Sequence, residues 1–376
     1  MVKACMVIGV PREIKDGECR VGITPDGVRE LTGAGHEVRI ECGAGDGAGF
    51  ADAHFAAAGA HLVASAREVY AADLVLKVKE IYPHEYALLR PGLITFCFQH
   101  FAPAPATLQA CLDARVTAIA FETVGQSSGL PVLKPMSEIA GRLSLQMAMS
   151  ALQTSNGGSG VLLQGTPGVA PGKVVIIGAG ASGSNAAHVA ASLGCRTVVF
   201  ARSRTRLDTL DAAWRGKITT HVYDAATLTR EIAGADVVIG AVLNPGQTSP
   251  TLITRTMLRS MRPGSVFIDI GIDQKGIAET SRPTSHSAPL FIEEGVVHYC
   301  VPNMPAAVAR SATLALANTT LPYVKALCAK GLRGALDDTA LREGVQLHDG
   351  RVVHAHLARD AAREFTPLSI SSSSPA

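Results

Sequence analysis

The chain has 376 residues, 47% of them apolar and only 5% aromatic, which suits two domains of ordinary size with large aliphatic cores. A formal net charge of +2 excludes partners held by bulk electrostatics, so neither nucleic acid nor a membrane surface is expected to bind. No apolar run is long enough to cross a bilayer, and Met1–Pro11 reads as a short strand rather than a signal peptide, which points to a cytoplasmic protein.

In chain order, Val7–Val10 reads as a strand, Pro25–Ala34 as a helix starting at Thr24, and His36–Glu41 as a second strand. Phe55–Ala58 falls in a short helix. Buried strands follow at Leu74–Val78, Leu93–Phe98 and Thr117–Phe121, ending beside Lys79-Glu80, Gln99-His100 and Glu122-Thr123. A long helix is predicted from an N-cap at Ser137 to Gln153. Further strands are expected at Asp236–Gly240 and Ser265–Asp269, and a last helix over Ala307–Ala329. Strands separated by helical patterns imply parallel βαβ units, hence an α/β fold of doubly wound parallel sheets. In such sheets ligands bind outside the carboxyl ends of the strands, where Lys79 and His100 stand. The tail Ser371–Ala376 is small and polar, and disorder is expected there. Eight scattered cysteines, without a Cys-x-x-Cys pair or a histidine cluster, fit reduced thiols and no metal site.

The most specific local signal is Lys173-Val-Val-Ile-Ile-Gly178-Ala-Gly180-Ala-Ser-Gly183, a β-branched strand running into Gly-x-Gly-x-x-Gly and a helix. Gly178 allows the tight turn, Gly180 lets backbone approach a pyrophosphate, and Gly183 permits close helix–strand packing. A second strand ends at Ala201. An NAD site usually has Asp or Glu there, about 20 residues beyond the glycines, to bind the ribose hydroxyls. This chain instead reads Ala201-Arg202-Ser203-Arg204 with Arg206 beyond. Guanidinium forks and a small hydroxyl suit a 2′-phosphate that a carboxylate would repel, so NADP(H) is favoured over NAD(H). The alternative is a solvated basic turn.

Several motifs then resemble one family. They are Pro11-Arg-Glu-Ile-Lys-Asp-Gly-Glu-Cys-Arg20-Val-Gly-Ile-Thr-Pro25, Leu76-Lys-Val-Lys79-Glu80, Phe98-Gln-His100 and Pro135-Met136-Ser-Glu-Ile-Ala-Gly-Arg142. Gly240-Ala-Val-Leu-Asn-Pro-Gly246, Asp269-Ile-Gly-Ile-Asp273-Gln and Val301-Pro-Asn303-Met-Pro305 complete the set with the glycine loop. In this order, over nearly the whole chain, they resemble the alanine dehydrogenase family, a relative of the nucleotide-binding subunit of proton-pumping transhydrogenase.

The resemblance implies a Rossmann dinucleotide-binding domain (137–307) inserted into a split substrate domain (1–136 and 308–376), with the active-site cleft between them. It implies that Arg20 and Lys79 hold the substrate carboxylate and that His100 is the acid/base residue. Asp273 would sit beside the nicotinamide, and Met136 and Asn303 would line the cleft. The cofactor would lie along Gly178, Gly180, Ala181, Ser182, Gly183, Ala201, Arg202, Ser203, Arg204, Arg206, Val242, Leu243 and Asp273. A homo-oligomer, hexameric by resemblance, is also implied.

The chemistry supports these roles independently of the family. Hydride transfer to a 2-imino acid needs a fixed carboxylate, which a guanidinium fork supplies. It needs proton exchange near neutrality as carbonyl, carbinolamine and imine interconvert, which suits histidine. Positive charge near the developing oxyanion is the third requirement, and Lys79 meets it. Each residue also has a structural alternative: Arg20 pairing with Glu13 or Glu18, Lys79 pairing with Glu80 at the surface, His100 merely packed, Asp273 holding a loop. Met136 is otherwise core and Asn303 a turn former.

The substrates expected are pyruvate or another 2-oxo acid (or the amino acid) and ammonia. The missing carboxylate at Ala201 departs from the NAD-dependent members of the family, and Gln99, Asn244 and Pro302 are candidates for altering the pocket. The alternatives are an NADPH-dependent imine reductase of a specialised pathway, a lysine- or opine-type dehydrogenase, and a non-catalytic dinucleotide-binding relative of the transhydrogenase subunit. The Arg20/Lys79/His100 set counts against the last.

Overall fold

The computed structural model describes residues 5–127, 129–242 and 249–370. The chain divides into two compact units, one of Met1–Met136 with Ala306–Ala376 and one of Ser137–Pro305. In the first, strands β1 (Val7–Val10), β2 (Glu37–Glu41), β3 (His61–Val63), β4 (Leu74–Leu76), β5 (Ile94–Cys97) and β6 (Thr117–Ala120) are parallel. The second holds β7 (Lys173–Ile177), β8 (Arg196–Ala201), β9 (Ile218–Val222), β10 (Val237–Gly240), β11 (Val266–Asp269), β12 (Leu290–Glu293) and β13 (Val296–Tyr299). The chain then returns to the first sheet with β14 (Val345–His348) and β15 (Arg351–Val352).

Both sheets have the same reversal of strand order. The first runs β3-β2-β1-β4-β5-β6 and the second β9-β8-β7-β10-β11-β13, with antiparallel strands added at one edge. This is the dinucleotide-fold order, which opens a crevice where neighbouring strands send their connections to opposite sides. The expected α/β architecture of doubly wound parallel sheets is therefore present in both units. Every residue of β4, β5, β6, β10 and β11 is buried, as sheets covered on both faces require.

Local chemistry accounts for most element ends. Helix Pro25–Gly33 starts where expected: Thr24 accepts from the amide of Gly27 at 3.2 Å and Pro25 presets the first turn. The long helix differs from the sequence expectation. It runs from Lys134 to Ala151, so Ser137 lies inside it and is not its N-cap. Pro135, whose fixed φ suits a first turn, moves the start upstream. The last helix is Ala309–Ala335, with Gly331 in a non-helical conformation.

The antiparallel edge strands were not expected from the sequence, yet both are two-residue hairpins. Glu294-Gly295 joins β12 to β13 and Asp349-Gly350 joins β14 to β15, with positive φ at all four residues, as a type I′ turn demands. At Gly350 φ is +75°. Gly350→Ala should therefore cost about 1–2 kcal/mol, seen as a lowered denaturation midpoint; an unchanged midpoint would count against this turn assignment.

Candidate active site

In the first sheet the reversal falls between β1 and β4, and the connections leaving these strands carry Arg20 and Lys79. Arg20 is 2% exposed. Its Nε donates to Oε1 of Glu18 at 2.6 Å and its Nη2 to Oε2 at 2.5 Å, a bidentate pair whose members are both buried. Nη1 lies 3.2 Å from Sδ of Met136. Arg20 thus pairs with Glu18, as its alternative reading has it, and this pairing fixes the plane of the guanidinium and turns Nη1 toward Met136.

Lys79 stands three residues beyond β4 and is buried, so its contact with Glu80 is not a surface pair. Its Nζ is 3.7 Å from Oε2 of Glu80 and 5.9 Å from the centre of the Phe98 ring. Burial acts to raise the Glu80 carboxyl. Lys79, the Glu80 amide, the Tyr82 hydroxyl and Lys15 outweigh it and hold the group at about 2. Glu80 is therefore ionised around neutral pH.

His100 stands three residues beyond β5, in a left-handed conformation with φ 47°. One carboxylate holds that turn: Glu122 accepts from the amide of His100 at 2.8 Å and from that of Gln99 at 3.2 Å. The same Glu122 lies 4.0 Å from Nδ1 of His100, whose ring stacks on Phe98 with centroids 5.8 Å apart. The imidazole is 45% exposed, oriented yet open to exchange protons. Phe98 thus touches both Lys79 and His100. Gln99 is wholly buried and donates to Oγ1 of Thr95 at 3.0 Å, so it fastens the sheet rather than shaping a pocket.

Glu122 and Phe98 are residues that sequence reasoning did not single out for the site, and Glu18 entered only as one of two alternative partners of Arg20. Their signal was only positional: Glu18 two residues before Arg20, Glu122 at a strand end, Phe98 two before His100.

In the second sheet the reversal lies between β7 and β10. Gly178 has φ +116°, and a side chain there would strike the carbonyl of Ala241. At Gly183 a side chain would strike the carbonyl of Gly178, so only glycine lets helix Ala181–Ser192 come this close to the strand end. Gly180 is different: among the described residues, only Nη1 of Arg206, at 3.9 Å, comes within reach of its missing side chain. It is also the N-cap residue of the helix, without a side-chain cap, so the first-turn amides of Ala181, Ser182 and Gly183 have no capping oxygen from it. An open backbone, uncapped amides and a guanidinium fit a dinucleotide diphosphate. Gly141 of the long helix packs against the Ser182 backbone, and Val242 lies beside the Gly178 turn.

The strand that should supply the ribose ligand ends at half-buried Ala201. Arg202, Arg204 and Arg206 are exposed. Ser203 caps helix Arg204–Trp214 by accepting from the amide of Arg206, and Arg204 pairs with Asp208 at 2.8 Å. Asp273 is exposed in a short 3-10 helix, Ile272–Gln274. Asn303 is half-buried with φ 59° and Pro302 precedes it, also half-buried. Leu243 and Asn244 lie outside the described residues. A cavity of about 450 Å³, lined by Val161, Leu162, Val169, Arg196 and Arg262, sits at the amino ends of the strands, away from the glycine loop.

Two family models match, the "Alanine dehydrogenase/PNT, N-terminal domain" over residues 9–140 and the "Alanine dehydrogenase/PNT, C-terminal domain" over residues 144–355. The chain belongs to the alanine dehydrogenase/PNT family. It is 47% identical to an alanine dehydrogenase of Halomonas elongata over 363 residues, covering 96% of this chain and 98% of that one. With the alanine dehydrogenase of Bacillus subtilis it shares 45% over 364 residues, 96% of each chain. A solved L-alanine dehydrogenase superposes with a TM-score of 0.92 at 45% identity, over 94% of this chain and 99% of the other. The protein is accordingly an oxidoreductase of CH–NH2 donors that uses a nicotinamide dinucleotide.

The Arg20–Glu18 pair allows a direct check. Glu18→Ala leaves a buried guanidinium without its carboxylate and should cost about 3–5 kcal/mol, whereas the Glu18→Ala/Arg20→Met double variant should recover most of that loss. Urea denaturation of both decides; equal destabilisation of the two would show that the pair is not what holds Arg20.

Proposed function

We propose that the protein is an NADPH-preferring alanine dehydrogenase that makes alanine from pyruvate and ammonia. The observation that carries the cofactor preference is the end of β8. Ala201 offers no carboxylate to a ribose hydroxyl, exposed Arg202 follows on the bend, and exposed Arg206 in the first turn of the next helix reaches toward Gly180. A 2′-phosphate would meet guanidinium donors there, with no carboxylate at position 201 to repel it.

In this reading the bound dinucleotide supplies the hydride, and the chain holds the other partner. Arg20 and Lys79 bind the pyruvate carboxylate, fixing the 2-carbon. His100, steadied by Glu122 and Phe98, gives and takes the protons that convert carbonyl to carbinolamine and, with loss of water, to imine. Asp273 assists proton and water handling beside the nicotinamide, and Met136 and Asn303 line the site. Gly178, Gly180, Gly183 and the amides of Ala181 and Ser182 take the diphosphate, with Val242 alongside. The domain roles follow: dinucleotide binding for 137–307, substrate binding for 1–136 and 308–376. A hexameric, cytoplasmic enzyme completes the reading.

Reductive amination of pyruvate, followed by nicotinamide absorbance, should show a higher kcat/KM with NADPH than with NADH. Ala201→Asp should shift that ratio at least tenfold toward NADH, an effect of about 1.4 kcal/mol or more. A wild-type preference for NADH would sink the 2′-phosphate argument. His100→Ala should abolish turnover while cofactor binding persists. Cofactor binding without turnover in the wild type, against every 2-oxo acid offered, would favour the non-catalytic alternative.

A further inference from the structure

The carboxylate-binding roles of Arg20 and Lys79 leave a buried charge cluster beneath them unused. Glu13 belongs to the connection that also carries Arg20, and its side chain is only 2% exposed. Its Oε1 accepts from the amide of Val78 at 2.6 Å and from that of Lys79 at 3.3 Å. Its Oε2 has no hydrogen-bond partner among the described residues and stands 4.0 Å from Nζ of Lys77. Lys77 is committed elsewhere. Wholly buried, it donates to both oxygens of Glu85 at 2.7 and 2.8 Å and to the carbonyl of Glu80 at 3.2 Å. Glu13 is thus a carboxyl group taken out of water, with one oxygen bonded to the loop of Lys79 and the other left without a donor.

We propose that Glu13 is a positioning residue for Lys79, clamping the turn after β4 to the loop that carries Arg20, and that this clamp tightens when the carboxyl ionises. An amide bonded to a carboxylate is held roughly twice as strongly as one bonded to a neutral acceptor. Two consecutive amides on one oxygen fix the backbone from which Lys79 projects. The clamp also joins the two strand ends that flank the sheet reversal, so the separation of the two carboxylate ligands depends on it.

The groups facing Glu13 decide where it titrates. They are Lys77 and Lys79 from the loop after β4, Glu85 and Tyr82 from the segment beyond it, Tyr70 from helix Ala66–Tyr70, Cys97 from β5, and Glu18 from its own loop. Burial is the largest influence and raises the carboxyl to about 7, against the pull of Lys77 and the Val78 amide and with help from Glu18 and Glu85. Burial and nearby carboxylates push Tyr70 and Tyr82 upward, and burial above all pushes Cys97 up, so these three stay neutral around pH 7. Below that pH Glu13 carries a proton and the clamp is loose; above it the carboxylate forms and the clamp is tight. Affinity for a substrate carboxylate rises with pH across neutrality.

This inference rests on the reading of Lys79 as a carboxylate ligand, and one binding series separates the two. Oxamate, a carboxylate isostere of pyruvate, is titrated into enzyme saturated with NADPH (or NADH) and followed by nicotinamide fluorescence from pH 6 to 8.5. The wild type should gain roughly three- to tenfold in affinity over that range, on the order of 1 kcal/mol. Glu13→Gln keeps an acceptor for both amides but cannot ionise, so it should stay at the weak, low-pH value throughout. A Glu13→Gln profile parallel to that of the wild type overturns the clamp. Lys79→Met with wild-type oxamate affinity overturns the underlying reading instead, and the inference with it. Should Glu13→Gln not fold, His100→Asn serves: a titration near pH 7 that persists in it supports Glu13, and a flat profile overturns the proposal.

Discussion

The backbone constraint on which both halves of the molecule depend is the reversal of strand order. Two parallel strands that sit side by side and send their connections in opposite directions leave a gap at their carboxyl ends. Here the gap occurs twice, between β1 and β4 and between β7 and β10. The first gap is flanked by the loops of Arg20 and Lys79, the second by the glycine turn and Val242. Neither set of residues is close in sequence. The sheets bring them together, and a fold with another strand order would scatter them.

Charge is the second constraint, because the first unit buries much of it. Arg20 with Glu18, and Lys77 with Glu85, are ion pairs removed from water. Such pairs contribute little net stability compared with apolar residues of the same volume, since desolvation consumes the Coulomb gain. What they provide is geometry. A bidentate guanidinium–carboxylate pair has essentially one arrangement, and it holds the Arg20 guanidinium in one plane. The same logic applies at Glu122, where one carboxylate holds the amides of Gln99 and His100 and keeps His100 in a conformation that an unassisted residue seldom adopts.

The parts legible in the sequence are those governed by short-range rules. Val7–Val10, Thr24-Pro25 and the glycine turn follow from pattern, capping and the steric freedom of glycine, and each is found at its expected residues. The α/β class and the family could be read for the same reason, being spelled out in consecutive residues. The start of the long helix was misplaced because Ser137 and Pro135 both signal a first turn and the proline prevails. The two edge hairpins were not legible although Asp349-Gly350 is a strong turn signal, because a strand as short as Arg351–Val352 shows no alternation of its own. Glu122 could not be read as a partner of anything, and for Arg20 the sequence left Glu13 and Glu18 as equal candidates; the fold gives it Glu18 and turns Glu13 to the amides of Val78 and Lys79. A carboxylate acquires its role from what the fold sets opposite it, and those neighbours are amides and cations brought in by other strands.

The shared use of the Phe98 ring has a consequence for how this site can diversify. The same side chain lies within 6 Å of the ammonium group of Lys79 and stacks on the imidazole of His100. One is a buried ammonium group, the other an imidazole open to solvent, and both lean on a single aromatic surface. A change of ring size or tilt at position 98 shifts the two together. On the proposed roles, recognition and proton transfer would therefore change together with Phe98, and room for a bulkier 2-oxo acid would have to come from Met136 instead.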